Sequence, residues 1–211
     1  MITHYWDPRD TSVNATTLTD VVGGVHAPFG AAGAAPTRDV PNGLITGTAV
    51  QYAETAAPFV FPPVGSIIAV VRCGTAQSYA FSGDAWAALT PADSGGQVLI
   101  GMGDTDYFSI EVLESGIDDT TLHTVALGWD QDFRLGPIYQ VFVNGAVGGV
   151  VRNRIAPDRP SPTIPLTFKS GFGHVFGATG LGAVMMTENL LSPSEVRRVH
   201  RKLAKQYTAL P

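Results

Sequence analysis

Ile138-Tyr139-Gln140-Val141-Phe142-Val143-Asn144-Gly145-Ala146-Val147-Gly148-Gly149-Val150-Val151 decides the fold class. Asn-Gly stands between two runs rich in β-branched and aromatic residues. Both turn residues tolerate φ > 0, as a two-residue type I′ hairpin turn requires. The stretch therefore predicts an antiparallel hairpin with Asn144 and Gly145 exposed at its tip.

Working outward, several further segments predict strands of five to seven residues: Ser78 to Ser82, Gln97 to Met102, Tyr107 to Leu113 and His123 to Trp129. In the third, Phe108, Ile110 and Val112 alternate with Ser109 and Glu111, the pattern of a half-exposed antiparallel strand. Ser66 to Val71 is a continuous apolar run bounded by Pro62-Pro63 and Gly74, which suits a strand covered on both faces. Between Ala156 and Pro165 the prolines at 157, 160, 162 and 165 predict a surface crossing. Gly180 to Met186 reads as a last strand.

One helix is expected, and it starts at Ser192. Ser192-Pro193-Ser194-Glu195 forms a capping box with Pro at the first helical position, and Leu191 with Val196 can staple the entry. Val196, Val199, Leu203 and Tyr207 make a single apolar stripe. The predicted class is all-β: a two-sheet antiparallel jelly-roll sandwich with one C-terminal amphipathic helix.

Composition agrees. Of 211 residues, 45% are hydrophobic and 15% charged, with 24 Gly and 15 Pro, which fits many short strands joined by turns. Residues 1–43 predict an N-terminal strand or arm followed by a Gly/Ala/Pro-rich loop, and residues 44–211 the jelly roll proper, the whole forming one domain. The apolar anchors Tyr5, Trp6 and Phe29 lie either on the chain's own sandwich or on a neighbouring copy. No signal-peptide pattern opens the sequence, no apolar run approaches membrane-spanning length, and the single Cys73 allows no internal disulfide. Cys73 is expected to be a buried structural thiol.

A net charge of −5 argues against a general nucleic-acid binder. Five of the 13 basic residues nevertheless fall together near the C-terminus: Arg197, Arg198, Arg201, Lys202 and Lys205. They predict a solvated helix face or a docking surface for an acidic partner.

Phe142-Val143-Asn144-Gly145, the early Trp6-Asp7, the strand ending Val70-Val71-Arg72, and Leu191-Ser192-Pro193-Ser194-Glu195 together resemble the concanavalin A-like lectin and glucanase jelly rolls. The similarity lies with the laminin-G and pentraxin-like group and covers roughly residues 44–208. It implies a fold that hosts lectins, adhesion modules, glycosidases and virus structural domains.

Specific chemistry is sparse. A glycosidase of this architecture needs two facing carboxylates, whereas Glu111 and Glu114 fall on opposite faces of a strand. No HExxH, GxSxG or zinc-ligand spacing occurs, so no enzyme is expected. Trp86, Tyr107 and Trp129 are candidates for stacking on a sugar, with buried packing as the competing role. Asp104 and Asp106 follow Gly101-Met102-Gly103 at a turn, where they either satisfy backbone N–H groups or hold calcium. No other cofactor is suggested. Tyr5, Trp6, Arg197, Arg198 and Arg201 are candidates for docking a partner.

The expectation drawn from the standalone form is a non-catalytic virion subunit, a phage capsid decoration or tail-associated protein made in a host cytoplasm. It would associate with its own copies or with other virion proteins, without nucleic acid or membrane insertion. The alternative is a carbohydrate-binding module, extracellular and directed at surface glycans; a degenerate glycosidase comes third.

Overall fold

A computed structural model of the chain describes residues 1–31, 33–48, 50–59, 62–72, 80–82, 86–92, 97–102, 108–112, 121–130, 138–152, 165–169 and 179–211. For 82, 86–92, 97–102, 108–112 and 149–152 it describes the backbone alone. The protein is an antiparallel β-sandwich with one C-terminal helix, as the turn chemistry and capping predict.

The main sheet is assembled from both ends of the chain. Its strands are β1 (Ile2–Asp7), β2 (Thr17–Asp20), β3 (Ala27–Pro28), β4 (Thr37–Asp39), β5 (Leu44–Thr46), β7 (Val64–Arg72), β12 (His123–Asp130), β13 (Ile138–Val143), β14 (Ala146–Arg152) and β16 (Gly180–Thr187). Their order is β14-β13-β12-β7-β16-β1-β2-β3, with β5 joining β16 beside β4. A second sheet pairs β6 (Ala53–Pro58), β15 (Pro165–Phe168) and β8 (Phe81–Ser82). A third pairs β9 (Trp86–Ala92), β10 (Gln97–Met102) and β11 (Phe108–Val112). Pro165 opens its strand, where a missing N–H costs least.

Side-chain alternation splits the main sheet into two apolar faces. Ile67, Ala69 and Val71 of β7 point to one, with Trp6, Val125, Leu127, Trp129, Tyr139, Val141 and Met186; Phe81, Leu166 and Phe168 of the second sheet close over them. Ile68 and Val70 point to the other face, with Ala126, Phe142 and Ala183, beneath Val196 and Leu203 from the helix and Tyr207 just beyond it. Strand β7 is thus covered on both sides, as its unbroken apolar run requires.

Helix α1 (Pro193–Ala204) has the predicted cap. The Glu195 N–H donates to Ser192 Oγ at 3.4 Å and the Ser192 N–H to Glu195 Oε2 at 2.8 Å. At the hairpin, Asn144 and Gly145 have φ of 50° and 75°, the left-handed pair of a type I′ turn. The turn is not exposed, contrary to the sequence expectation. Gly145 is buried against His200 of α1, and Asn144 Oδ1 accepts from the Thr124 N–H at 3.0 Å. The helix lies across the hairpin tip, a long-range placement that local turn chemistry does not contain.

Residues 23–43 carry no periodicity, yet they contribute β3 and β4. These strands span two and three residues, too short to leave a pattern. The Cys73 reading and most of the proline-rich 156–165 segment lie outside the described residues.

Candidate functional site

A concavity lies where α1 runs out on the main sheet. It has a volume of about 410 Å³ and is lined by Asp39, Pro41 and Asn42 of the β4–β5 turn, Leu44, Arg72 at the end of β7, Leu122, and residues 206–209 beyond the helix. Each wall is fixed by identifiable bonds. Asp39 accepts from the Asn42 backbone N–H at 3.3 Å and its side-chain amide at 2.8 Å, which shapes the turn.

The opposite wall hangs on Tyr207. In β16 the pairing with β7 shifts register between Leu181 and Val184, a bulge that releases the Ala183 N–H from the ladder. The Tyr207 hydroxyl accepts that N–H at 2.7 Å and donates to Gly43 O at 3.1 Å, so one phenol ties the helix end, the sheet and the β4–β5 turn. Burial pushes its ionisation upward. Gly182 is required beneath the ring, since a Cβ there would lie 2.9 Å from both Tyr207 and Val70. The Arg9 guanidinium caps the ring at 4.3 Å and donates to Gln206 O at 3.0 Å.

The groove therefore combines fixed polar groups with the apolar flanks of Pro41, Leu44 and Leu122. Arg72 makes no ion pair among the described residues, and its guanidinium brings a planar set of donors to the lining. Asp39 is the single carboxylate among the described residues that line it. A mixed lining of this size suits a small polyhydroxylated ligand, whose hydroxyls need planar donors and acceptors and whose ring C–H groups need an apolar wall. Among the described residues its lining shows no facing acid pair of the kind glycoside hydrolysis uses.

Of the sugar-stacking and calcium candidates singled out by sequence, Trp129 alone is described with its side chain. Trp129 is fully buried in β12 and its indole N–H donates to Pro62 O at 2.7 Å, so it presents no ring face to a sugar; packing took it, as it does most large aromatics. Trp86 lies in β9, with its side chain outside the described residues; Tyr107, Asp104 and Asp106 also lie outside them. Among the described residues no cluster of three His, Cys, Asp or Glu side chains suits a metal.

Trp6 offers no docking surface. It is fully buried, stacked on His4 at 5.1 Å and packed on Phe168 at 4.9 Å, with its indole N–H donating to Val25 O. Tyr5 is half-buried against the helix-side core. Arg197, Arg198 and Arg201 are exposed on α1.

Two buried polar hubs escaped the sequence reading. Asp20 accepts from His4 Nδ1 at 2.7 Å and from the N–H groups of Tyr5, Val22, Gly23 and Val25. Burial works against its ionisation, but the His4 and backbone hydrogen bonds outweigh burial and hold the carboxyl well below the usual range. Lys169, fully buried with φ of 63°, donates to Thr48 O at 2.8 Å and Gln51 O at 3.2 Å, and burial pushes its ammonium down to about 8. Both hubs organise loops. Neither lies beside a nucleophile among the described residues.

No family model and no curated protein matches the sequence. Solved structures do. Domain 4 of AbnA, a GH43 extracellular arabinanase from Geobacillus stearothermophilus, in complex with arabinotriose, superposes with a TM-score of 0.69 at 13% identity, covering 94% of this chain and 98% of that domain. The CBM40 of the Ruminococcus gnavus IT-sialidase, bound to α2,3 sialyllactose, gives 0.54 at 16% identity over 65% of this chain and 82% of the module. The receptor binding domain of botulinum neurotoxin type G gives 0.65 at 13% identity; it covers 96% of this chain, which spans about half of that domain, 51%. At these identities the likeness establishes the β-sandwich fold.

Proposed function

We propose that this chain is a non-catalytic carbohydrate-binding domain that holds an oligosaccharide in the groove between the β4–β5 turn and the end of α1. The observation that carries this reading is the groove itself: sugar-sized, walled by Pro41, Leu44 and Leu122, lined by the Arg72 guanidinium and, beside it, the Asp39–Asn42 pair, and holding one carboxylate among the described residues where hydrolysis needs two. Support comes from the similar domains, two of which are bound to saccharides, arabinotriose and sialyllactose. The virion reading of the sequence draws no such support, and the carbohydrate-binding alternative replaces it.

The test is calorimetric titration with arabino-oligosaccharides, sialyllactose and a panel of galactans. Saturable binding of at least one is expected, together with its loss in Arg72→Ala at unchanged unfolding temperature and no new reducing ends on prolonged incubation. Binding that survives both Arg72→Ala and Asn42→Ala would remove the groove from the proposal. Turnover of any glycan would remove the non-catalytic claim.

A further inference from the structure

Helix α1 and the residue after it carry Arg197, Arg198, Arg201, Lys202 and Lys205, all exposed. At 3.6 residues per turn they fall within an arc of about 140°, roughly opposite the buried stripe of Val196, Val199, Leu203 and Tyr207. Arg197, Arg201 and Lys205 make one row along the axis, spaced by about 6 Å. Arg198 and Lys202 make a second row beside it.

An ordinary solvated face alternates signs so that neighbours one turn apart attract. This one does the reverse. Arg197 with Arg201, Arg198 with Lys202, and Arg201 with Lys205 are like-charged pairs four apart; Arg198 with Arg201 and Lys202 with Lys205 are like-charged pairs three apart. Glu195 is the one acid of the helix, and its carboxylate is engaged by Ser192 in the cap. Among the described residues no acid forms an ion pair with any of the five. The helix dipole favours Arg201, Lys202 and Lys205 near the C-terminus, but it does nothing for Arg197 and Arg198, more than a turn earlier. The other 8 basic and 18 acidic residues leave −10 on the rest of the chain, so the five cations form an isolated strip on an acidic body.

We propose that the exposed face of α1 binds the chain of an acidic polysaccharide, one carrying carboxylate or sulfate groups along its length. A flexible linear polyanion can follow a narrow strip of cations, and a polymer with one charge per sugar repeats on the scale of the Arg197–Arg201–Lys205 row. A duplex or a long nucleic acid would run off the strip onto an acidic surface, and no aromatic side chain on this face offers a base a stacking partner. The face likewise has no large apolar side chain to enter a bilayer. The proposal rests on the carbohydrate reading for the class of polymer but uses different residues from the groove.

The experiment compares the full chain with the triple variant Arg197→Ser, Arg201→Ser, Lys205→Ser. The probes are polygalacturonate, neutral arabinan, phosphatidylcholine vesicles with phosphatidylserine, and a single-stranded oligonucleotide. Polygalacturonate binding is expected to weaken steeply with salt, to fall about tenfold or more in the triple variant, and to lose about 2 from its log–log salt slope. The double variant Arg197→Lys, Arg201→Lys, with Lys205 retained, should keep it. The Ser triple variant should bind neutral arabinan as the native chain does, since none of its three positions lines the groove; absence of arabinan binding in both chains is then failure of the groove alone, and undiminished polygalacturonate binding in the variant is failure of the strip. Equal polygalacturonate binding by the native and Ser-substituted chains, no binding by either, or stronger binding to vesicles or oligonucleotide overturns the proposal.

Discussion

The two faces of the main sheet are covered in different ways. On one, the second sheet lays Leu166 and Phe168 over Trp6, and the interior is closed. On the other, among the described residues, one helix of 12 residues, about 18 Å long, does most of the covering, with Tyr207 and Leu210 just beyond it. Strands lie about 4.8 Å apart, so one helix cannot span a sheet of this width. The uncovered end becomes the groove, and the helix's outer side becomes the cationic strip. Stability concentrates where coverage is complete, and surface available for recognition arises where it is not.

Measurements can break this contrast. Trp6→Ala should have the largest effect, a loss of about 3–5 kcal/mol in denaturant unfolding, because it empties the centre of the closed face. A loss under about 1 kcal/mol would show that this face does not carry the fold.

The closed face should also respond to alkali. Lys169 has its folded value depressed to about 8, so the folded state releases a proton that the unfolded chain keeps. Stability should therefore rise as pH increases from about 8 towards the ordinary lysine range, by an amount on the order of 3 kcal/mol, and be flat below that window. Lys169→Met should abolish the rise; a Met variant that keeps the same slope refutes the assignment.

On the helix-covered face, Tyr207→Phe should cost about 1–3 kcal/mol, since the Ala183 N–H and Gly43 carbonyl lose a buried partner. It should also weaken saccharide binding by loosening a groove wall. Ser192→Ala should cost about 1 kcal/mol by removing the cap and should leave saccharide binding intact. If Ser192→Ala proved more damaging than Tyr207→Phe, the helix would be anchored at its start rather than at its end.

The sequence discloses the elements whose cause is local. Asn144-Gly145 names its own turn, Ser192 to Glu195 names its own cap, and the run through Ile67 and Val71 declares burial on two sides. What it hides depends on partners far along the chain. Arg72, Asp39 and Tyr207 line one groove, yet they belong to a strand end, a loop read as part of an arm, and a helix stripe. Asp20 looks like any turn acid until four backbone N–H groups and His4 converge on it. Trp129 has the composition of a sugar platform and the position of a core residue, and only the register of β12 decides between them.

Strand β1 makes one pairing whose consequence is temporal. Thr3 Oγ1 donates to Met186 O across a separation of 183 residues, and β1 lies between β16 and β2 in the finished sheet. A ribosome adding 5–20 residues per second holds Trp6 paired with β2 but without β16, its second partner strand, for about 10–40 s. High contact order of this kind places folding in the millisecond-to-second range even after release. The nascent chain must therefore shelter an aromatic β-strand until β16 has been made. Asp7, Arg9 and Asp10, charged and next to that strand, are well placed to keep its bare edge from pairing with the wrong chain.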